Sequence, residues 1–92
     1  MPEAIRIGQL CDDRLRLIHP ISLTIETEGN SVAVTDDFSD SFGSGEYLTE
    51  AIEDYQRCMV ELYWTLNDET QRLGPAMIEL RDALNLRIRR VA

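Results

Sequence analysis

A crowd of carboxylates followed by a Gly-x-Gly step is the stretch of this chain whose residue types best suit chemistry. The segment DDFSDSFGSG places Asp36, Asp37 and Asp40 ahead of Gly43 and Gly45. Carboxylate oxygens are the ligands that calcium and magnesium prefer. The backbone N–H groups of a glycine step before a helix can bind phosphate. Two kinds of site, a divalent-metal site and a phosphate site, are therefore the hypotheses to test.

The spacing of the acids does not fit a calcium-binding EF-hand loop. Such a loop needs oxygen ligands at its first, third and fifth positions, glycine at the sixth and glutamate at the twelfth. A loop that starts at Asp36 has Phe38 third and Ser41 sixth, and one that starts at Asp40 has Phe42 third. The failed register excludes an EF-hand loop and leaves a looser divalent-ion site on Asp36, Asp37 and Asp40 as an alternative. We predict no metal ligand and no cofactor, and we rank an acidic metal-dependent hydrolase last among the candidate functions.

The residues after the glycine step disfavour phosphate. A P-loop continues with Gly-Lys-Ser/Thr, whereas Glu46 follows here and Glu50, Glu53 and Asp54 come soon after. These acids occupy the positive end of the predicted helix and would repel a phosphate group. The sequence therefore does not predict phosphate binding.

Residues for nucleophilic catalysis are also poorly placed. His19 is the single histidine and precedes Pro20 in a strand-like stretch, where a structural role is favoured. Cys11 and Cys58 do not form a C-x-x-C pair, and Cys58 has apolar neighbours that suggest a small buried hydrophobe. We predict no catalytic residue and a protein that is not an enzyme.

The charge balance favours solubility first and a basic protein partner second. Seventeen Asp and Glu residues oppose nine basic residues, all of them arginine, for a formal net charge of −8. Such a field repels nucleic acid and attracts basic proteins, and it also aids solubility, which is the commoner role of an acidic surface. A solvated helix end explains the C-terminal arginines, so direct nucleic-acid binding is not predicted. These arginines are Arg81, Arg87, Arg89 and Arg90.

The chain shows no pattern for membrane insertion or export. No apolar run approaches the ~20 residues of a membrane helix, and the N-terminus lacks the blocks of a signal peptide. We expect a cytoplasmic protein without membrane contact. Its 92 residues suit a single domain, in which residues 1–13 form a loosely ordered N-terminal segment where IRI begins a short strand.

Period-two alternation predicts the strands. One strand with a buried odd-numbered face runs from Leu15 to Ile25, and Pro20 requires an edge or a bulge within it. Glu28-Gly29-Asn30 is a hairpin turn signal, and SVAVT forms the return strand. A short third strand is expected near Phe38 and Phe42, before a turn at Gly43 and Gly45.

Two helical stripes follow. The first is made of Leu48, Ile52, Tyr55, Met59, Leu62 and Leu66. The second is made of Leu73, Met77, Leu80, Leu84, Ile88 and Val91, with Pro75 at the first helical position. The predicted fold class is α+β, a small antiparallel sheet packed by two C-terminal helices. Tyr63 and Trp64 lie off the first stripe, so we predict that they form an oligomer contact.

The middle of the chain resembles a known family. HPISLTIETEGNSVAVTDDF followed by SFGSGEYLTEAIEDYQRCMVELY is similar to the HicB-like antitoxins over about residues 19–66, with Gly45 and Glu50-Ala51 carrying the match. The resemblance implies a partial ribonuclease-H-like sheet without catalytic carboxylates. It also implies a partner, a small basic RNA-cleaving toxin of the HicA type, whose surface the antitoxin masks.

These observations predict a non-enzymatic protein-binding module. The acids would steer a basic partner and the phenylalanines would anchor it. The expected partner-binding residues are Asp36, Asp37, Phe38, Asp40 and Phe42. The alternative is a structural domain that homo-oligomerises through the edge of its hairpin or through the Trp64 face.

Overall fold

The computed structural model describes residues 3–91 and has the predicted α+β fold, with antiparallel strands and two helices. The strands are β1 (Glu3–Ile7), β2 (Leu15–Leu17), β3 (Ile21–Glu28), β4 (Ser31–Thr35), β5 (Phe42–Gly45) and β6 (Ile88–Arg90). The helices are α1 (Leu48–Leu66) and α2 (Pro75–Arg87).

Four strands form the main sheet in the order β1-β3-β4-β5. The predicted hairpin of β3 and β4 is confirmed, and Glu28 pairs with Ser31 across a two-residue turn. Gly29 has a φ of 60° in this turn, a left-handed conformation that glycine adopts without strain. The predicted third strand is β5, although it begins at Phe42 and runs past Gly43.

The strand predicted from Leu15 to Ile25 is two strands in two sheets. β2 pairs with β6, whereas β3 lies in the main sheet. The Ile18 N–H still donates to the Arg87 carbonyl at 2.7 Å, and the chain then changes sheet before Ile21. Pro20 has no N–H to offer a ladder, which explains why pairing stops there. The odd-numbered phase is confirmed, because Leu15 and Ile21 are both buried.

The N-terminal segment contributes to the main sheet. Residues 3–7, for which we expected loose order with a strand beginning at IRI, form β1 against β3. Ile7 lies opposite Ile21 and both side chains are buried. Residues 1 and 2 of that segment lie outside the described residues.

Helix α1 begins at Leu48 as predicted, but its buried face is rotated. Leu48 is 36% exposed, and Ile52 and Leu62 are only partly buried. The residues that face the core are Ala51, Tyr55, Met59, Tyr63 and Leu66. The predicted stripe is therefore correct at Tyr55, Met59 and Leu66, at the margin of the core at Ile52 and Leu62, and wrong at Leu48.

The glycines of β5 explain this rotation. A Cβ on Gly43 would overlap the backbone of Ala51 and of Tyr55, so the strand and α1 pack with their main chains in close contact. Only a small side chain such as Ala51 fits beside this contact. The prediction that Gly43 and Gly45 form a turn is wrong, because both belong to the paired strand β5.

Helix α2 starts as predicted, with Gly74 as its N-cap and Pro75 in its first turn. It ends at Arg87, earlier than the second stripe predicted. Ile88 has extended backbone angles and opens β6, where pairing with β2 replaces helical hydrogen bonds. Within residues 3–91, neither helix is long and apolar enough to cross a membrane.

Candidate partner-binding surface

Asp36 is a structural carboxylate rather than a surface contact. Its side chain is 8% exposed. Its Oδ1 accepts the backbone N–H groups of Phe38 and Ser39 at 3.1 and 2.8 Å. Its Oδ2 accepts the Ser39 hydroxyl at 2.6 Å and the Tyr55 hydroxyl at 2.5 Å. The prediction that Asp36 contacts a partner is therefore replaced by a role in ordering its own loop.

Tyr55 ties this loop to helix α1. Its side chain is fully buried. Burial raises the pKa of Tyr55, and the hydrogen bond to Asp36 raises it further. The hydroxyl therefore stays protonated at physiological pH and donates a hydrogen bond to Oδ2 of Asp36.

The loop between β4 and β5 presents the acids that lie beyond Asp36. Thr35 pairs with Phe42 at its base, so its ends are held together. Asp40 has a φ of 58°, a left-handed conformation that Asp tolerates better than most residues. Asp37 and Asp40 are exposed, and Phe42 is 57% exposed. We call Asp37, Asp40 and Phe42 the acidic–aromatic surface.

Phe38 is less available than predicted. Its side chain is only partly exposed, and the guanidinium carbon of Arg87 lies 4.1 Å from the centroid of its ring. Such stacking is an attractive cation–π contact. Phe38 therefore holds the end of α2 against the loop.

The sheet face that points away from α1 carries Phe42. Alternate side chains of a strand point to opposite faces, and buried Leu23 and Val34 occupy the face towards α1. The opposite face carries one large apolar side chain, Phe42, among small, polar or charged ones. Its other members are Ala4, Arg6, Ser22, Thr24, Glu26, Glu28, Ser31, Ala33, Thr35 and Ser44.

The edge of β5 is covered by a carboxylate. Asp54 of α1 accepts the Ser44 N–H at 3.0 Å and pairs with Arg57 at 2.8 Å. The Ser44 bond is the main cause that lowers the pKa of Asp54, and Arg57 lowers it further. A satisfied N–H here makes β5 a poor site for a partner strand.

Tyr63 and Trp64 are occupied within the chain. Tyr63 is 6% exposed and packs in the core, so the prediction that it lies off the buried stripe is wrong. The Trp64 indole N–H donates to Asp12 at 2.9 Å. Arg14 and Arg90 lie 4.5 and 5.0 Å from the centroid of the Trp64 ring. Trp64 therefore joins the N-terminal loop to the C-terminal strand.

Asp12 completes this cluster. The Arg14 guanidinium donates to both of its carboxylate oxygens, at 3.0 and 2.8 Å. These bonds, followed by the Arg14 backbone bond and the Trp64 indole, hold the pKa of Asp12 well below its ordinary value. The face predicted for self-association is thus largely covered by an intramolecular cluster.

The remaining candidates for chemistry are scattered. Among residues 3–91, no group of three His, Cys, Asp or Glu side chains lies close enough to hold a metal ion. Cys11 is exposed and Cys58 is partly buried rather than buried, and both are free. Burial raises the pKa of the Cys58 thiol. His19 is exposed in the passage between β2 and β3.

Sequence reasoning missed Ser39 and Tyr55 as partners of Asp36. The spacing of Asp36 and Ser39 is typical of a turn in which an aspartate accepts nearby N–H groups, and this local signal could have found the first. Nothing local marks Tyr55. Comparisons with protein-family models, curated proteins and solved structures find no match for this chain.

Proposed function

We propose that this chain is a non-enzymatic protein-binding module, an antitoxin of the HicB-like kind or a solitary relative, which masks a small basic RNA-cleaving toxin. The observation that carries the proposal is the acidic–aromatic surface. Phe42 is exposed on the sheet face that points away from α1, and Asp37 and Asp40 are exposed on the preceding loop, which Asp36 orders. An exposed aromatic side chain is typical of a contact with a protein, and exposed acids near it favour a basic partner.

Charge supports a basic partner. The net charge of −8 attracts a basic protein over long range, and complementary charges speed its encounter. Carboxylates such as Asp37 and Asp40 form charge-assisted hydrogen bonds with Arg and Lys. Phe42 would supply the apolar anchor that charges alone lack.

The side chains of the sheet face support binding rather than catalysis. Small-molecule sites are mostly apolar, whereas the face around Phe42 carries small or polar residues such as Ala33, Thr35 and Ser44. The family resemblance covers β3, β4, β5 and α1, the segment that carries both the surface and the Asp36–Tyr55 contact.

Co-expression tests the proposal. A Lys/Arg-rich reading frame beside this gene is expected to be toxic when expressed alone, and this chain is expected to restore growth. Phe42→Ser and the double change Asp37→Asn with Asp40→Asn should remove the protection, whereas Leu86→Ser, at a 73% exposed position of α2, should keep it. A toxic neighbour that this chain does not neutralise would contradict the proposal.

The alternative is a domain that self-associates. The edges of the β3–β4 hairpin, expected to make this contact, are paired with β1 and β5, which leaves the edge of β1 as the candidate. Within the described residues β1 pairs only with β3, so the other side of its backbone is free for a second strand. Light scattering of the purified chain separates the two functions. A dimer mass that does not change when the basic partner protein is added would favour self-association. A monomer mass would remove this alternative.

A further inference from the structure

Arginines gather on and beside the two-stranded sheet of β2 and β6. Arg16 lies directly opposite Arg89 in this pair, and both side chains are exposed. The neighbouring strand positions Leu15 and Ile88 are buried, so Arg16 and Arg89 point away from the core. We call the arginines on and next to the two strands the arginine ribbon: Arg14, Arg16, Arg87, Arg89 and Arg90. Arg90 pairs with buried Leu15, so its side chain lies on the face opposite to Arg16 and Arg89, over Trp64.

The central pair of the ribbon opposes folding. Side chains directly opposite each other in an antiparallel pair have Cβ atoms about 4.5–5.5 Å apart, and like charges there are destabilising. Neither Arg16 nor Arg89 makes an ion pair within residues 3–91, although the chain has 17 acids. Residues that destabilise the fold locally are expected at binding sites.

The flanking arginines are held in place. Arg87 stacks on Phe38 at 4.1 Å, and Arg14 stacks on Trp64 at 4.5 Å while pairing with Asp12. Stacking on an aromatic ring limits the freedom of a guanidinium group. Hydrogen bonds hold both further, because Arg14 donates to the two carboxylate oxygens of Asp12 and Arg87 donates to the Ala83 carbonyl. The arginines on either side of Arg16 and Arg89 are thus held by contacts within the chain, whereas Arg16 and Arg89 themselves have no acidic partner within residues 3–91.

We propose that the arginine ribbon binds an acidic segment of another protein, whose carboxylates pair with Arg16 and Arg89. The planar fork of an arginine matches a carboxylate with two parallel hydrogen bonds. This surface uses none of the residues of the acidic–aromatic surface, so the inference stands apart from the proposed function.

Nucleic acid offers anionic oxygens too, but the rest of the chain disfavours it. A nucleic-acid strand carries one phosphate per ~3.4 Å along the helix axis. The chain outside the ribbon holds all 17 acids and the other four arginines, and it repels a dense polyanion more strongly than a short acidic segment. Charge density therefore favours the protein ligand.

Titration of the full chain with a synthetic peptide of alternating Glu and Thr tests the inference. Trp64 is the single tryptophan and lies under Arg14 and Arg90, so its fluorescence reports binding, with calorimetry as a second readout. We expect binding at about 50 mM salt that weakens at least about tenfold at about 500 mM, because salt screens exposed charges.

Two double variants with equal charge change give the matched comparison. Arg16→Gln with Arg89→Gln should weaken peptide binding at least about tenfold, because it removes both charge-assisted contacts. Arg6→Gln with Arg72→Gln, at exposed positions outside the ribbon, should weaken it less than about threefold. The ribbon variant should melt at or above the wild-type temperature, because a repulsion has been removed. Lost binding with retained melting thus excludes misfolding.

Four other outcomes would overturn the inference. The first two are that the peptide fails to bind at low salt, or that the two double variants weaken binding equally. The third is that an oligothymidylate of the same charge binds more tightly than the peptide, which would assign the ribbon to nucleic acid. The fourth is that the chain alone forms a salt-sensitive dimer that the ribbon variant abolishes, which would make a second copy the occupant.

Discussion

Replacing Tyr55 with phenylalanine removes one hydroxyl group from the centre of the fold. The side chain of Tyr55 is fully buried, and its hydroxyl donates to Oδ2 of Asp36 at 2.5 Å. Phenylalanine keeps the ring, and Asp36 keeps its bonds from Ser39 and from the Phe38 N–H. The variant therefore isolates the contact that ties the loop to α1.

The expected loss is a large fraction of the total stability. A hydrogen bond to a charged group contributes about 1.5–3 kcal/mol, so Tyr55→Phe should lower the free energy of unfolding by about 2 kcal/mol at pH 7. A domain of this size is stable by roughly 5–14 kcal/mol. The melting temperature should fall by about 10 °C.

The difference should shrink at high pH. The pKa of Tyr55 is raised in the folded protein, whereas a tyrosine in the unfolded chain titrates near ~10. Above that pH the unfolded chain loses a proton that the folded chain keeps, so the wild type loses about 1.4 kcal/mol by pH 11. The chain has no lysine to obscure this change. The Tyr55→Phe variant has no hydroxyl at this position, so its stability does not fall in this way. The difference in the free energy of unfolding between the wild type and the variant should therefore narrow to about 0.6 kcal/mol at pH 11.

Urea unfolding at pH 7 and pH 11, followed by circular dichroism, measures both quantities. Tyr47→Phe is the control, because Tyr47 is 66% exposed and its change should stay within about 0.5 kcal/mol. An equal loss of stability in Tyr55→Phe and in this control at pH 7 would refute a stabilising Tyr55–Asp36 hydrogen bond. The raised pKa of Tyr55 would be refuted if the difference between the wild type and Tyr55→Phe were the same at pH 11 as at pH 7.

Three further changes test the packing. Gly43→Ala should lower the free energy of unfolding by about 3 kcal/mol, because the new Cβ would meet the backbone of α1. The control Gly8→Ala has open space around it and should change the free energy of unfolding by less than about 0.5 kcal/mol. Equal losses of the two variants in urea unfolding would contradict the close contact of β5 with α1. Trp64→Phe should cost about 1–2 kcal/mol, since the indole N–H bond to a carboxylate is lost, and unchanged hydrogen exchange in the N-terminal loop would count against this. Cys58 should be alkylated at least about tenfold more slowly than exposed Cys11 at pH 8, because burial raises the pKa of its thiol, and mass spectrometry showing equal rates would refute that.

Local signals in the sequence predicted the elements that local interactions build. The turn at Gly29 and the helix start at Pro75 depend on backbone preferences of a few adjacent residues, and both are confirmed. Strand β6 could not be predicted in this way. Ile88 continues the helical spacing of the preceding residues, and only pairing with β2, far away in the chain, makes it extended.

The buried face of α1 shows a second limit. Hydrophobicity favours Leu48 over Ala51, but the close approach of Gly43 selects the small side chain. Which residues touch across elements depends on shape, and a periodic pattern contains no information about the partner surface.

The candidate surface could be predicted in part. Composition indicated an acidic stretch with exposed aromatic residues, and Asp37, Asp40 and Phe42 are exposed. The sequence alone does not distinguish Asp36 from the adjacent Asp37. Only the fold brings it to the Tyr55 hydroxyl and makes it a structural residue.

The affinity of the purified chain for the basic product of the neighbouring reading frame is the most direct test of the central claim. Calorimetry should show that Phe42→Ser weakens binding by at least about thirtyfold, as expected for an interface residue worth about 2 kcal/mol. The control Leu86→Ser should change it by less than about threefold. Equal affinity of Phe42→Ser and the wild type, or no binding by either, would contradict the assignment of this surface to a basic partner.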